Sequence, residues 1–476
     1  MKERTTVQKL AENTGWLALQ GVGGRLLSFA LNVLIVRYLG AAGYGKLAFA
    51  MAFSGFFTIL GDFGLSTYAI REVSADKETG PGCLGKGLLL NAVMSVLILA
   101  AVTAAGMAAG LEQPLLYCVV LLAMSYLLHQ TGGFASAIFR AHEKMSLLFA
   151  TETIYRAAQL LFCGACVFFR LDISAFAAAY LGASVLYLAV VLWLALRMIW
   201  PRLSYRLSEY LRMLRESAPY GLSAAALVVY YNADILMLSY FKGAGEVGIY
   251  SVAYNLYLAL GIVASVYMGA AFPVLSRLFK NSPEGIKKAY TKSFKFLLII
   301  SVPVSFGAVM LAPGIMTALY GASFAASAAP FAVLSSVTVF FYLNAFLGHF
   351  FAAAGRVKDS FFMFCAACLL NVVLNLFLIP AYGYIGAAAA TAVSETVYFT
   401  LAVIYLRRTE YHFLPWGLLV RLLAFSSVML AALSLVPGGN VFLRVAAGAM
   451  VYLLLVLWGG ILDEDDVGLV REALRR

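Results

Sequence analysis

Residues 173–196 read ISAFAAAYLGASVLYLAVVLWLAL, 24 positions without one charge. At 1.5 Å per residue a helix of this length covers the roughly 30 Å hydrocarbon core of a bilayer, where a helix satisfies all its own backbone groups. The pattern recurs outward in both directions. Before it lie approximate spans 13–36, 46–69, 88–109, 115–138 and 147–169; after it lie 217–241, 248–273, 296–320, 328–353, 360–380, 384–406, 415–436 and 441–462. Fourteen candidate spans in all predict an all-α integral membrane protein. Composition agrees, with 63% hydrophobic and 12% charged residues in a chain of 476, about half the charge of a soluble protein.

The charges are sorted rather than scattered. With the N-terminus inside, the cytoplasmic segments hold Lys2, Arg4, Lys9, Arg71, Lys77, Lys86, Arg140, Lys144, the arginines from Arg197 to Arg215, the basic residues from Arg277 to Lys295, Arg356, Lys358, Arg407, Arg408 and the C-terminal arginines. Only Arg37, Lys46, Arg170, Lys242 and Arg444 fall on the other side. That bias places both termini in the cytoplasm. The net charge of +11 is spread over every inner loop instead of one domain, which argues against nucleic acid and for anionic membrane lipids as the partner. Met1 to Asn13 is polar and the first apolar stretch has full span length, so no cleaved signal is expected.

The chain weakly repeats itself. Tyr38-Leu39-Gly40-Ala41-Ala42-Gly43-Tyr44-Gly45, after span one, resembles Tyr240-Phe241-Lys242-Gly243-Ala244-Gly245-Glu246-Val247-Gly248, after span seven. A second echo links Phe139 to Lys144 with Ala352 to Lys358. Two pseudo-repeated six-helix lobes follow, residues 1–196 and 217–406, with 407–476 holding a C-terminal pair and a tail. Between the lobes, 197–216 reads as an amphipathic cytoplasmic linker, with Leu203, Leu207, Leu211 and Leu214 at helical spacing. Pro303 and Pro313 both lie in span nine and are expected to bend it.

Charges inside spans are costly and therefore functional by default. They are Arg25 in span one, Asp62 in span two, Glu152 and Arg156 in span five, Asp234 in span seven and Glu395 in span twelve. Arg25 must face a cavity or a counter-ion, Asp62 being the nearest acid by connectivity. Glu152 and Arg156 stand at i, i+4 in the favourable order, so they either neutralise each other or leave Glu152 as an ion-coupling acid and Arg156 for a substrate. Asp62, Asp234 and Glu395 are left as ion-coupling or pairing acids, and His129 and His349 as packing residues. Cys163 with Cys166 and Cys365 with Cys368 copy a redox spacing but lack flanking His or acid, and are assigned to packing. No metal site is expected: Asp463-Glu464-Asp465-Asp466 reads as acids at a helix N-terminus. No P-loop or other enzyme constellation is present, so neither a cofactor nor catalysis is expected.

The stretch Arg37 to Leu47, followed by Gly61-Asp62-Phe63-Gly64-Leu65 and Arg71-Glu72, resembles the N-terminal signature of polysaccharide-biosynthesis flippases. These belong to the multidrug, oligosaccharidyl-lipid and polysaccharide exporter superfamily; Asp234 with Gly248-Ile249-Tyr250 and Ala253 fits their middle region. The resemblance implies a MATE-like fold of about 14 helices in a bacterial or archaeal cytoplasmic membrane. It also implies a carrier, monomeric, that turns a polyprenyl-diphosphate-linked oligosaccharide from the inner to the outer leaflet by alternating access, with H+ or Na+ as coupling ion. A diphosphate suits the planar fork of arginine. Arg25 and Arg156 are accordingly the expected substrate-binding residues, on burial and charge rather than on the signature. The alternatives are a small-molecule or drug exporter of the same superfamily, with an acidic cavity, and an integral membrane glycan ligase or polymerase, which the short outer loops disfavour.

Overall fold

The computed structural model describes residues 6–408, 416–435 and 440–462, all helix and turn with no strand among them. The acidic run at 463–466 lies outside the described residues. Fifteen α-helices are formed: α1 (Thr6–Thr58), α2 (Leu65–Ala75), α3 (Gly80–Ala108), α4 (Gln113–Ala141), α5 (Met145–Phe168), α6 (Ile173–Met198), α7 (Leu207–Lys242), α8 (Ala244–Leu260), α9 (Ile262–Asn281), α10 (Pro283–Tyr320), α11 (Ala328–Ser336), α12 (Thr338–Ala353), α13 (Val357–Leu406), α14 (Trp416–Ser434) and α15 (Val441–Trp458).

Nine helices among the described residues are long and apolar enough to cross a membrane, or eleven when two bent pairs each count as one span. Two of the nine are double. At 53 and 50 residues, α1 and α13 would each run well beyond 70 Å if straight, so each must cross twice. Gly40 (φ 66°, ψ −179°) breaks the first and Gly383 (φ 57°, ψ −134°) the second. Side chains join the two legs of α13 as a hairpin: Tyr405 Oη donates to Asp359 at 2.7 Å and Ser360 meets Tyr398 at 3.0 Å. The bent pairs are α7, with a 54° turn between its legs, and α11 with α12, at 49°. Adding the 24-residue α5 brings the crossings to about fourteen. Exposed apolar side chains such as Val96, Leu97 and Phe168 suit a surface solvated by lipid.

The helices form two compact units. The first comprises the chain to Ser251 with Asn375–Gly383. At its centre α4 packs on α6, α3, α1 and α2, and α5 on α1 and α6. Small residues permit the close approach: a Cβ on Gly132 of α4 would lie 2.5 Å from the ring of Tyr187 in α6. Span two does not run through as one helix. Turns at 59–64 separate α1 from α2, with Phe63 and Gly64 at positive φ.

The two repeated glycine turns meet in this unit. Gly40 and Gly243 occupy matching positions with matching backbone (φ 66°, ψ −179° and φ 85°, ψ 179°). Five residues further on, a Cβ on Gly45 would lie 1.8 Å from the Ala244 carbonyl oxygen, and one on Gly248 would lie 1.9 Å from that of Ala41. Since Ala41 corresponds to Ala244 and Gly45 to Gly248, each turn touches the other through the same pair of positions. The echo in the sequence is thus a reciprocal backbone contact.

The second unit comprises Val252–Leu374 and the chain from Tyr384. There α10 packs on α9, α11, α12, α14 and α15 around Tyr290, Phe294, Phe346 and Phe350. Pro303 and Pro313 both lie inside α10, which continues through them as one helix. Pro303 has no N–H for the Ile299 carbonyl four residues back, and Tyr452 Oη of α15 donates to that oxygen at 2.8 Å. The appended pair therefore repairs the helix that proline would weaken.

Candidate functional site

Arg25 and Arg156, 131 positions apart in sequence, line one cavity of about 210 Å³ in the first unit. From α1 it takes Gln20, Gly21, Gly24, Arg25 and Ser28; from α5 it takes Glu152, Thr153 and Arg156. The α1 set repeats at helical spacing, which puts it on one face. Nothing lies within 4 Å of where a Cβ on Gly21 or Gly24 would stand, so the glycines widen the space beside the guanidinium.

The charges in this cavity do not cancel pairwise. Arg25 is exposed and makes no hydrogen bond or ion pair among the described residues, with Asp62 or any other acid. Arg156 reaches Gln159 Oε1 at 3.4 Å and lies 5.3 Å from the Tyr155 ring centre. Glu152 accepts from Tyr187 Oη at 3.0 Å, and no ion pair joins it to Arg156 among the described residues despite the i, i+4 spacing. Two guanidinium groups and one carboxylate leave the lining formally positive.

Behind it stands a polar aromatic wall. His129 of α4 lies between Tyr155 and Tyr187, with ring centres at 4.2 and 4.6 Å, and Gln159 Nε2 donates to Tyr155 Oη at 2.8 Å. Gln20, Ser28, Thr153 and Tyr187 were absent from the expected site. The small and polar face of α1 was a readable signal for the first two, whereas Tyr187 reads as one more apolar position in span six.

The remaining acids lie apart from this cavity. Asp62 sits in the turn before α2, where one carboxylate oxygen accepts from Ser66 N at 3.1 Å and Ser66 Oγ at 2.5 Å, a local helix-start contact. Asp234, buried in α7, accepts from Ile235 N at 2.8 Å and from Tyr250 Oη of α8. Glu395, buried in α13, accepts from Asn344 Nδ2 of α12 at 2.7 Å. The four cysteines of the spaced pairs are free thiols, and no His/Cys/Asp/Glu group able to hold a metal occurs among the described residues.

The second unit has a different cavity, of about 500 Å³ and almost wholly apolar. It lies among α10, α14 and α15, lined by Pro303, Gly307, Leu311, Met429, Leu433 and Tyr452 among others. No sequence signal marked it, because its walls are ordinary span residues.

Two family profiles match the chain, each over more than half its length. The polysaccharide biosynthesis protein profile matches residues 10–279, and the lipid II flippase MurJ profile matches 162–457. The chain belongs to the polysaccharide biosynthesis protein family. Among the relatives of this polysaccharide biosynthesis protein is the "Probable low-salt glycan biosynthesis flippase Agl15" of Haloferax volcanii, 23% identical over 83% of each chain. Another is the succinoglycan biosynthesis transport protein ExoT of Rhizobium meliloti, 23% identical over 68% of this chain and 65% of its own. The fold is that of solved MurJ and MATE transporters. A lipid II flippase MurJ structure in an inward closed conformation superposes with a TM-score of 0.78 at 14% identity, covering 92% of this chain and 98% of its own. An inward-facing multidrug resistance MATE transporter superposes at 0.66 and 14%, covering 82% and 97%.

Proposed function

We propose that this polysaccharide biosynthesis protein flips a polyprenyl-diphosphate-linked oligosaccharide across the membrane by alternating access, for assembly of a cell-surface glycan. The family and the apolar helices make it a multi-pass membrane transporter and not an enzyme. The observation that carries the substrate is the cavity of Arg25 and Arg156. Two guanidinium groups, neither committed to an acid, offer planar charge-assisted contacts to a diphosphate in a place where a free charge is otherwise costly. A drug exporter for cations would need the opposite sign there.

A polyprenyl tail needs no polar site and can stay in the surrounding lipid while the headgroup crosses. The lobes would be residues 1–196 and 217–406, joined by the linker 197–216. The positive inner loops support a bacterial or archaeal cytoplasmic membrane with both termini inside, a monomer sufficing for transport. Asp62, Asp234, Glu152 and Glu395 are the acids available for H+ or Na+ coupling. Reconstitution in liposomes with a labelled polyprenyl-diphosphate oligosaccharide tests the substrate and the site together. Arg25→Ala and Arg156→Ala should each slow flipping at least tenfold, and undiminished flipping by both would dismiss the arginine cavity.

A further inference from the structure

A carrier has to let go of what it holds, and two uncompensated arginines around a diphosphate would make release slow. Glu152 stands in that same cavity, one helical turn before Arg156. The cheapest arrangement for such a pair on one helix is mutual neutralisation. The fold prevents it. Glu152 Oε1 is held by Tyr187 Oη at 3.0 Å, and Tyr187 is fully buried, seated on Gly132 where a Cβ would lie 2.5 Å from its ring and packed 4.6 Å from the His129 ring centre. Arg156 is turned instead toward Gln159 and Tyr155.

The carboxylate is therefore anchored as a separate negative charge beside the anion site. It shares its cavity with Arg156 on its own helix and Arg25 from α1, and Tyr187 from α6 holds it, with His129 of α4 packed against the Tyr155 and Tyr187 rings. We infer that Glu152 is the release element of the diphosphate site: a fixed counter-charge that keeps the two arginines from binding the headgroup too tightly to turn over. Tyr187 is its positioning residue. The inference rests on the arginine cavity being the headgroup site.

The effect is electrostatic and has a definite sign. A carboxylate lining the same cavity as the diphosphate repels it, and at the effective dielectric constant of about 20 usual in proteins a unit like-charge pair within about 10 Å weakens binding by at least tenfold. Glu152→Gln keeps the shape and an acceptor for Tyr187 while removing the charge. Binding of geranyl diphosphate to the full-length protein in nanodiscs, by calorimetry and by stopped-flow dissociation, tests it. Glu152→Gln should bind at least tenfold tighter, dissociate more slowly and flip labelled lipid more slowly at saturating substrate. Tyr187→Phe, which frees Glu152 to swing onto Arg156, should weaken binding, and gives an answer even if the first variant folds poorly.

Binding by Glu152→Gln equal to or weaker than wild type, while Arg25→Ala loses binding, overturns the release role and leaves the arginine site standing. Loss of nothing in Arg25→Ala and Arg156→Ala overturns the headgroup site itself, and this inference with it.

Discussion

Alanine at Gly45 or Gly248 should destabilise the protein through a collision that no rotamer can relieve. The Cβ of Gly45→Ala would lie 1.8 Å from the Ala244 carbonyl oxygen, and that of Gly248→Ala 1.9 Å from the Ala41 oxygen. Real Cβ contacts essentially never fall below 3.0 Å, so α1 and α8 must separate by at least 1.2 Å (3.0 − 1.8). Both partners are main chain. Parting them loosens Leu47, Val247 and Tyr250, each fully buried next to the contact. Overpacking of this kind costs about 1–3 kcal/mol, against a gain of up to about 1 kcal/mol from replacing glycine in a helix. Gly245→Ala is the matched control, since it lies in the same turn with nothing within 4 Å of its Cβ position. The assay is the melting temperature of purified protein in detergent. Gly45→Ala and Gly248→Ala should each melt lower than wild type, Gly245→Ala should not, and the double variant should cost less than the sum because one methyl already opens the gap. Melting of Gly45→Ala at or above the Gly245→Ala value would refute the reciprocal contact.

Four further outcomes follow from particular contacts. Tyr452→Phe leaves the Ile299 carbonyl that Pro303 abandons without its donor, and should cost about 1–3 kcal/mol; the same substitution paired with Pro303→Ala, which restores the helix bond, should recover most of the loss in melting temperature. Asp62→Ala removes the acceptor for Ser66 at the start of α2 and should cost about 0.5–2 kcal/mol, seen as a lower melting temperature whether or not an ion gradient is present. Asp62→Asn and Asp234→Asn test coupling separately: flipping unchanged with and without a proton or sodium gradient would remove both acids from that role. In the first turn of α7, the Lys86 side chain 3.1 Å away and the Ser204 hydroxyl hold the Glu209 carboxyl below its ordinary value of 4.5. Because the folded pKa is depressed, the contribution is full above pH 4.5 and fades as pH falls through the folded value, so Glu209→Gln should lessen the loss of stability on acidification.

The all-helical membrane class was legible because lipid imposes a simple rule, that each crossing be helical and apolar for some twenty residues. Charge-free runs such as 173–196 obey it without help from neighbours. The expected span ends at 36/46 and 380/384 bracket the breaks, and the backbone angles place them at Gly40 and Gly383. Span nine carries two prolines, and α10 continues as a helix through both. A tyrosine from α15, 153 positions from Ile299, supplies the hydrogen bond that Pro303 cannot give to the Ile299 carbonyl.

The site divides the same way. Sequence by itself singled out Arg25, Glu152 and Arg156 as candidates, since an ion within an apolar span is so costly that its mere presence is informative. It left open whether Glu152 and Arg156 neutralise each other, because i, i+4 spacing permits a pair without requiring one. Tertiary structure decided that, by bringing Tyr187 from α6 to Glu152 and setting Arg25 of α1 in the same cavity. Helical spacing reports what a residue's own helix offers it; which competing donor arrives from another helix is set by packing, and packing between spans leaves no period in the sequence.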